Sequence, residues 1–287
     1  MTPLSPRNAA REGFGLLRRE PRAFLAWAAL WLATFSAAAW VVAASTPLRL
    51  AHAPQPGSFG AVAARFGPFG LVLIAMFLLV WLVTAVAAFR AVLHPDQRRW
   101  FFLRIGADEL RLGLVTLVAC VAAVGVGGAP AYLVFMLASP IMSAVPAATR
   151  LVAEVGVVIT VWLDVWLGVR LSLIAVETYS ERRFHLMAYW PLTRGRFWYL
   201  LAAYFLYFLI FLVLTALFAP AIFVLTPNEV TVAGGNLLRR TGLLLQAGVL
   251  AGLIAMFWTL SSTLFYACQA HAFRAIVGEG RDGVPPA

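Results

Sequence analysis

The sequence predicts an all-α fold, a polytopic membrane bundle of six transmembrane helices with short interfacial helices beside it. Hydrophobic residues make up 62% of the 287 residues and charged residues only 12%. A soluble domain of this length could not hide so much apolar surface from water. The same prediction follows from six long apolar segments and from arginines that concentrate in alternate loops between them.

Each of the six segments is long enough to cross a bilayer, since a spanning helix needs about 20 mostly apolar residues. The third and fifth are longer and allow a tilt or a kink. None of the loops is long enough to fold separately, so residues 1–287 are expected to form a single integral membrane domain. The predicted spans are Phe24–Ala44, Pro68–Ala88, Leu112–Leu137, Val152–Leu173, Phe197–Val224 and Gly242–Phe265.

The arginines predict how the chain is threaded through the membrane. All 22 basic residues are arginine, and the formal net charge is +10. With a cytoplasmic N-terminus, seventeen arginines lie at cytoplasmic edges and five at outer edges. Cytoplasmic loops carry the excess of basic residues, so both termini are expected in the cytoplasm. The absence of lysine is typical of a GC-rich bacterium, and the expected location is a bacterial inner membrane.

The two ends of the chain differ from the bundle at residues 24–273. Residues 1–23 are expected to form a cytoplasmic amphipathic N-terminus, and residues 274–287 a disordered cytoplasmic tail. Phe14 and Leu17 lie on the apolar side of the N-terminal segment, which is typical of a short helix on the inner leaflet. An ordinary solvated tail is the alternative.

The first apolar segment also has a second interpretation. Val42–Ser45 imitates a secretory cleavage site after an apolar run. That run holds about 20 residues, whereas the apolar region of a signal peptide holds roughly 7–15. An uncleaved membrane anchor is therefore the favoured interpretation.

Glycines and a proline interrupt the third predicted span, at Gly125, Gly127, Gly128 and Pro130. Proline removes a backbone donor, and glycine lets a neighbouring helix approach closely. A broken span of this kind marks the substrate site in many transporters. A kink that only serves helix packing is the alternative.

The inner ends of three spans share a short pattern, an apolar residue followed by arginine. The pairs are Phe89-Arg90, Val169-Arg170 and Phe273-Arg274. They indicate three repeated helical hairpins related by an axis along the membrane normal. An arginine at a helix C-terminus also complements the helix dipole, which explains each position taken alone.

Asp164 is the one acidic residue well inside a predicted span. A carboxylate in hydrocarbon is costly, so it is expected to face the bundle interior and to find a partner there. Ser261 and Ser262 of the sixth span lie at a similar depth, and together the three residues define a candidate intramembrane polar site. A proton- or ion-coupling role and a structural hydrogen bond are both open.

The sequence offers no motif for catalysis or for a cofactor. His94, His185 and His271 fall at the cytoplasmic edge without the spacing of metal ligands, and Cys120 and Cys268 are read as packing residues. We therefore expect no enzymatic activity, no cofactor and no metal. The spread of arginines along membrane edges favours lipid headgroups over nucleic acid as the partner.

The loop from Arg170 to Trp198 carries the sharpest local signal. Its aromatic residues are placed to lie in the membrane interface, and its arginines are placed to reach the headgroups. Thr193 and Gly195 predict the start of the fifth span. The candidate lipid or partner contacts are Arg170, Arg182, Arg183, Arg194, Arg196, Trp190 and Trp198.

This stretch resembles the membrane domain of bacterial glycerophosphodiester phosphodiesterases and its stand-alone relatives of unknown function. The residues that carry the resemblance are Arg170, Leu171, Ser172, Glu177, Trp190, Leu192, Thr193, Arg194, Gly195, Phe197 and Trp198. The resemblance covers about a tenth of the chain. It implies a six-helix fold without catalysis, because no loop could house the phosphodiesterase domain.

Together these observations favour a scaffold or accessory protein whose arginine-rich cytoplasmic rim contacts anionic lipid or a membrane or cytoplasmic protein partner. A small-molecule transporter or channel that uses the broken third span and Asp164 is the alternative.

Overall fold

The computed structural model describes residues 5–45, 59–96, 99–104, 106–123, 125, 136, 146–181, 193–225 and 237–281. Within these ranges the chain is helical and contains no strand. The elements are α1 (Pro6–Arg19), α2 (Pro21–Ser45), α3 (Phe59–Leu93), a short turn (Arg99–Phe102), α4 (Ala107–Ala123), α5 (Pro146–Leu171), α6 (Ile174–Glu181), α7 (Phe197–Leu225) and α8 (Leu237–Arg281).

Five stretches of the described chain are long and apolar enough to cross a membrane, as expected of a multi-pass membrane protein. They overlap the first, second, fourth, fifth and sixth predicted spans. The stretches are Pro21–Trp40, Val72–Leu93, Glu154–Ser180, Phe197–Leu225 and Leu245–Gly278.

The third predicted span, Leu112–Leu137, lies partly outside the described residues. Helix α4 covers its beginning as far as Ala123, and beyond that only Gly125 and Met136 are described. Apart from Gly125, the glycine- and proline-rich break therefore falls outside the described residues. The count of six spans and the three-hairpin repeat stay predictions.

Local sequence signals explain where several helices begin. Pro6, Pro21 and Pro146 each take the first helical position, where the missing N–H costs nothing and the fixed φ suits a helix. At the start of α4, the Gly106 N–H donates to the Glu109 carboxylate at 2.9 Å, which satisfies an end group of the helix.

Helix α8 runs further than the sequence indicates. Residues from 274 onward are predicted to be a disordered tail, but the helix continues to Arg281. Ile276, which lies beyond the predicted boundary, is buried. The gain from burying this side chain explains why the helix does not end at Phe273; residues 282–287 lie outside the described residues.

The chain divides into two compact units. Unit 1 comprises Met1–Ala9, Ile105–Phe205 and Cys268–Ala287, and unit 2 comprises Ala10–Arg104 and Leu206–Ala267. In unit 1, α4 packs against α5 and α6, with Val115 and Ile174 buried and Leu171 beside them. Small side chains meet in the same unit at Ala9, Ala203 and Cys268.

Aromatic side chains form the core of unit 2. Trp31 of α2 is fully buried, and its ring lies 5.0 Å from the Phe77 ring of α3 and 5.6 Å from the Trp258 ring of α8. The Tyr207 hydroxyl donates to the Ser261 carbonyl at 3.2 Å, which joins α7 to α8. Edge-to-face and tilted ring contacts therefore hold the helices of this unit together. Such contacts matter in lipid because apolar burial alone does not favour one helix pair over another there.

Helix α1 packs against α8 at a small residue, Gly13. A Cβ added at Gly13 would lie 2.6 Å from Cα of Leu264 in α8. The two helix backbones approach this closely because glycine has no side chain. On the polar side of the helix, Arg19 forms an ion pair with Glu12.

The outer faces of the spans are strongly apolar. Only 6% of the apolar stretch of α7 is buried. The exposed side chains include Phe205, Phe208, Val213 and Phe223. Such a surface in a monomer requires an apolar solvent, which supports placement of this helix in a bilayer.

Candidate functional site

The candidate site lies in unit 1, where Arg170 closes the last turn of α5. Its Nη1 group donates a hydrogen bond to Oγ1 of Thr193 at 3.0 Å. Thr193 is 0% exposed, so the hydroxyl that accepts this hydrogen bond lies in the protein interior. This contact joins the end of α5 to the loop that precedes α7.

Two aromatic rings also hold the Arg170 guanidinium. Its central carbon lies 5.8 Å from the centroid of the Trp166 ring, one turn earlier on α5. It lies 5.9 Å from the centroid of the Phe197 ring, at the first residue of α7. Both distances fall within the range of a cation–π interaction, which favours arginine because its planar group stacks on rings.

A tight turn brings Phe197 to this position. The Arg196 N–H donates to the Thr193 carbonyl at 3.3 Å, and Gly195 has a φ of +79°. Such a φ strains any residue with a Cβ, so glycine is the residue type that this turn needs. The predicted start of the fifth span at Thr193 and Gly195 corresponds to this turn, and the helix itself begins at Phe197.

An apolar groove extends along the membrane-spanning part of α5 away from Arg170. Its volume is about 470 Å³. One wall comes from α5 and the other from the first turns of α7, and Arg170 is the charged residue of the lining. The lining residues are Trp162, Val165, Trp166, Arg170, Phe197, Trp198 and Leu201.

Two tryptophans leave the groove open to its surroundings. Trp162 is 64% exposed and Trp198 is 76% exposed. Trp198 lies in the first turn of α7, next to Phe197. An exposed indole near a guanidinium is typical of the membrane interface, where one part of the ring meets hydrocarbon and its N–H meets the headgroups.

The structure brings together some of the predicted contact residues. Arg170 and Trp198 both line the groove, and the turn that carries Arg194 and Arg196 follows Thr193 directly. Arg194 is exposed and Arg196 is half-buried. The other predicted contact residues, Arg182, Arg183 and Trp190, lie outside the described residues.

The predicted intramembrane polar residues fall in different units. Asp164 lies in unit 1 on an exposed part of α5. In unit 2, the Ser261 hydroxyl donates to the Trp258 carbonyl at 3.1 Å and the Ser262 hydroxyl to the Thr259 carbonyl at 3.2 Å. Both serines therefore bond to their own helix.

A second arginine contact, in unit 2, is one that the sequence did not single out as a site. Trp100, Phe101 and Phe102 all have positive φ and form a left-handed turn. The Arg90 Nη1 donates to the Phe102 carbonyl at 3.0 Å, and the Trp27 Nε1 donates to the Phe101 carbonyl at 3.0 Å. The sequence signal that could have identified this contact is the Phe89-Arg90 pattern near the end of α3.

Arg90 and Arg170 therefore act in a similar way. Each arginine lies in the last turn of a long apolar helix and donates to the segment before a later helix, α4 for Arg90 and α7 for Arg170. Arg274, the third member of the predicted repeat, is exposed.

The described residues contain no group of three or more metal-ligating side chains. Cys268 is a buried free thiol in unit 1. Comparison with protein-family models, with curated proteins and with solved structures finds no match to this chain.

Proposed function

We propose that this chain is a non-enzymatic bacterial inner-membrane protein, a scaffold or accessory protein that contacts anionic lipid through an arginine-rich cytoplasmic rim. The rim consists of Arg170, Arg182, Arg183, Arg194 and Arg196. The observation that carries this proposal is the guanidinium of Arg170, hydrogen-bonded to Thr193, at one end of an apolar groove.

Electrostatics supports lipid as the partner of the rim. A basic residue near an anionic membrane surface contributes about 1 kcal/mol of attraction. Five arginines on one loop and its flanking helices can therefore change the affinity for anionic lipid by several orders of magnitude. The exposed Arg194 beside the groove is placed to contribute to this attraction.

The test compares two variants that lose the same charge. In the rim variant the five rim arginines become glutamine. In the control variant, the five arginines predicted at the outer edges become glutamine, which gives the same net charge. These outer arginines are Arg49, Arg65, Arg150, Arg239 and Arg240.

The full-length proteins are extracted with their surrounding bilayer, and the anionic fraction of the retained phospholipid is compared with that of the whole membrane. We expect the wild type and the control variant to retain excess anionic phospholipid and the rim variant to lose this excess. Equal retention by the rim variant and the wild type would contradict the proposal.

A further inference from the structure

We infer that the groove between α5 and α7 is a binding site for one phospholipid molecule, with the phosphate at Arg170 and an acyl chain along the apolar walls. The inference rests on the proposed function and deepens it. A general attraction of the rim for anionic lipid needs no particular site, whereas this groove defines one.

The dimensions of the groove match part of one leaflet. Trp162 and Arg170 are eight residues apart on α5, which corresponds to about 12 Å along the helix axis. One leaflet contributes about 15 Å of hydrocarbon, half of the roughly 30 Å core. A chain that starts at Arg170 therefore runs through most of its leaflet before it passes Trp162.

The groove walls are chemically suited to an acyl chain. Apart from Arg170, its lining consists of Trp162, Val165, Trp166, Phe197, Trp198 and Leu201. These side chains offer aliphatic and ring surface. A soluble polar ligand would gain little from such walls, while an acyl chain finds shape and packing contacts there.

The head of the site is organised before a ligand arrives. The bond to Thr193 and the rings of Trp166 and Phe197 hold the guanidinium at this place. Arginine recognises phosphate through two parallel N–H groups, and a side chain already held in place loses less entropy on binding. Arg194 and Arg196 lie on the adjacent turn, so further positive charge is near the predicted headgroup.

The carboxylate of Asp164 does not face the groove, so it does not repel a phosphate bound there. Residues on an α-helix are about 100° apart, so Asp164 lies on the face of α5 opposite to Trp162 and Trp166. It is exposed on that face and is not part of the groove lining.

The experiment measures how many phospholipid molecules stay bound to the purified, delipidated full-length protein in detergent, by intact-complex mass spectrometry during titration with dilauroyl phosphatidylglycerol. Arg170→Gln removes the charge at the head of the site. Leu201→Trp fills the groove without a change of charge. Their matched controls are Arg274→Gln, at an exposed position of α8, and Leu209→Trp, at an exposed position of α7 outside the groove.

We expect one tightly retained lipid in the wild type and in both controls. Loss of one charge-assisted contact should weaken its retention about tenfold or more in Arg170→Gln, and Leu201→Trp should abolish it. Because Leu201→Trp leaves Arg170 in place, it tests the groove even if Arg170→Gln fails to fold. Inorganic phosphate at millimolar concentration should not displace the lipid.

Four outcomes would overturn the inference. They are lipid retention in Leu201→Trp equal to that in the wild type, an equal loss in Leu209→Trp, displacement of the lipid by inorganic phosphate, and a dimer that Leu201→Trp dissociates. The last outcome would identify a second copy of this chain as the occupant. Failure of the proposed function has a different signature, since native bilayers around the wild type would then show no excess of anionic phospholipid.

Discussion

A charged side chain is costly in apolar surroundings, and three residues of this chain meet that cost in different ways. Arg170 is held by a buried hydroxyl and two rings at the end of α5. Arg90 is itself buried and donates to a backbone carbonyl. Asp164 lies exposed within an apolar helix. The two arginines thus stabilise local structure, while the role of the aspartate depends on what surrounds the protein.

We predict that Asp164→Leu leaves the thermal stability of the detergent-purified protein unchanged or raises it. Val157 and Val161, which lie on the same face of α5, are exposed and apolar, so this face meets hydrocarbon if α5 spans the membrane. A carboxyl group at the centre of a spanning helix costs about 2.5–3.5 kcal/mol. A marked drop in the melting temperature would instead show that Asp164 has a partner in the folded chain, as the transporter alternative requires.

Two glycines of α1 allow a matched comparison. Gly13→Ala is expected to destabilise the docking of α1, because the new Cβ would lie 2.6 Å from the Leu264 backbone. Overpacking of this kind costs about 1–3 kcal/mol. Gly15→Ala is expected to be neutral or to stabilise the helix by up to about 1 kcal/mol, because the closest atom to its Cβ is Nη2 of Arg19 at 3.8 Å.

The readout for this pair is proteolysis of α1 in the purified protein. Cleavage at Arg11 and Arg18 should become faster in Gly13→Ala and stay at the wild-type rate in Gly15→Ala. Identical cleavage in the two variants would mean that α1 does not depend on its close approach to α8.

At the scale of whole elements, apolar length was a sufficient guide to most helices. The first span was predicted at Phe24–Ala44, and α2 covers Pro21–Ser45. The fourth span was predicted to end at Leu173, and α5 ends two residues earlier, at Leu171, before the short helix α6. Hydropathy records where side chains are apolar, but it does not record where the backbone changes direction.

The residues of the candidate site were predicted from the sequence, but the contacts between them were not. Arg170, Thr193 and Phe197 were each noted in the sequence, yet their mutual contacts depend on the turn at Gly195. The left-handed turn at Trp100–Phe102 could not be predicted. Aromatic residues avoid this conformation, since it costs about 1–2 kcal/mol per residue. The hydrogen bonds from Arg90 and Trp27 to this turn offset part of the cost.

This turn is the basis of a prediction for Trp27→Phe. The change keeps an apolar ring but removes the donor to the Phe101 carbonyl. We expect faster amide hydrogen exchange over residues 99–104 and a loss of stability of about 1–2 kcal/mol, because a strained turn loses one of its two anchors. Trp40→Phe on the same helix is the control, since Trp40 is exposed. Equal exchange in both variants would contradict the role of the Trp27 bond.

At the scale of the whole molecule, the exposed apolar surfaces and the arginine distribution have to be consistent with the same number of membrane crossings. On α4, Leu110, Leu114, Leu117 and Val121 are all exposed. Their spacing places them on one face of the helix. This exposed apolar face lies at the beginning of the third predicted span, residues 112–137, of which only part is described. It therefore supports the view that α4 is the beginning of a crossing.

The number of crossings decides which side of the membrane Arg170 occupies. If residues 112–137 cross the membrane, α5 begins outside and Arg170 lies in the cytoplasm with the other rim arginines. If they do not cross, α5 begins in the cytoplasm and Arg170 lies outside. The excess of seventeen arginines over five at the cytoplasmic edges holds only in the first case.

Reporter fusions at two positions separate these cases. A fluorescent protein that folds only in the cytoplasm, fused after Asp96, is expected to be bright, and the same fusion after Val145 is expected to be dark. Alkaline phosphatase, which folds only outside the cytoplasm, should give the reverse pattern and serves as the control. If both positions gave a bright fluorescent fusion, residues 112–137 would not span. The lipid site at Arg170 would then face the outer leaflet, because α5 would be threaded in the opposite direction.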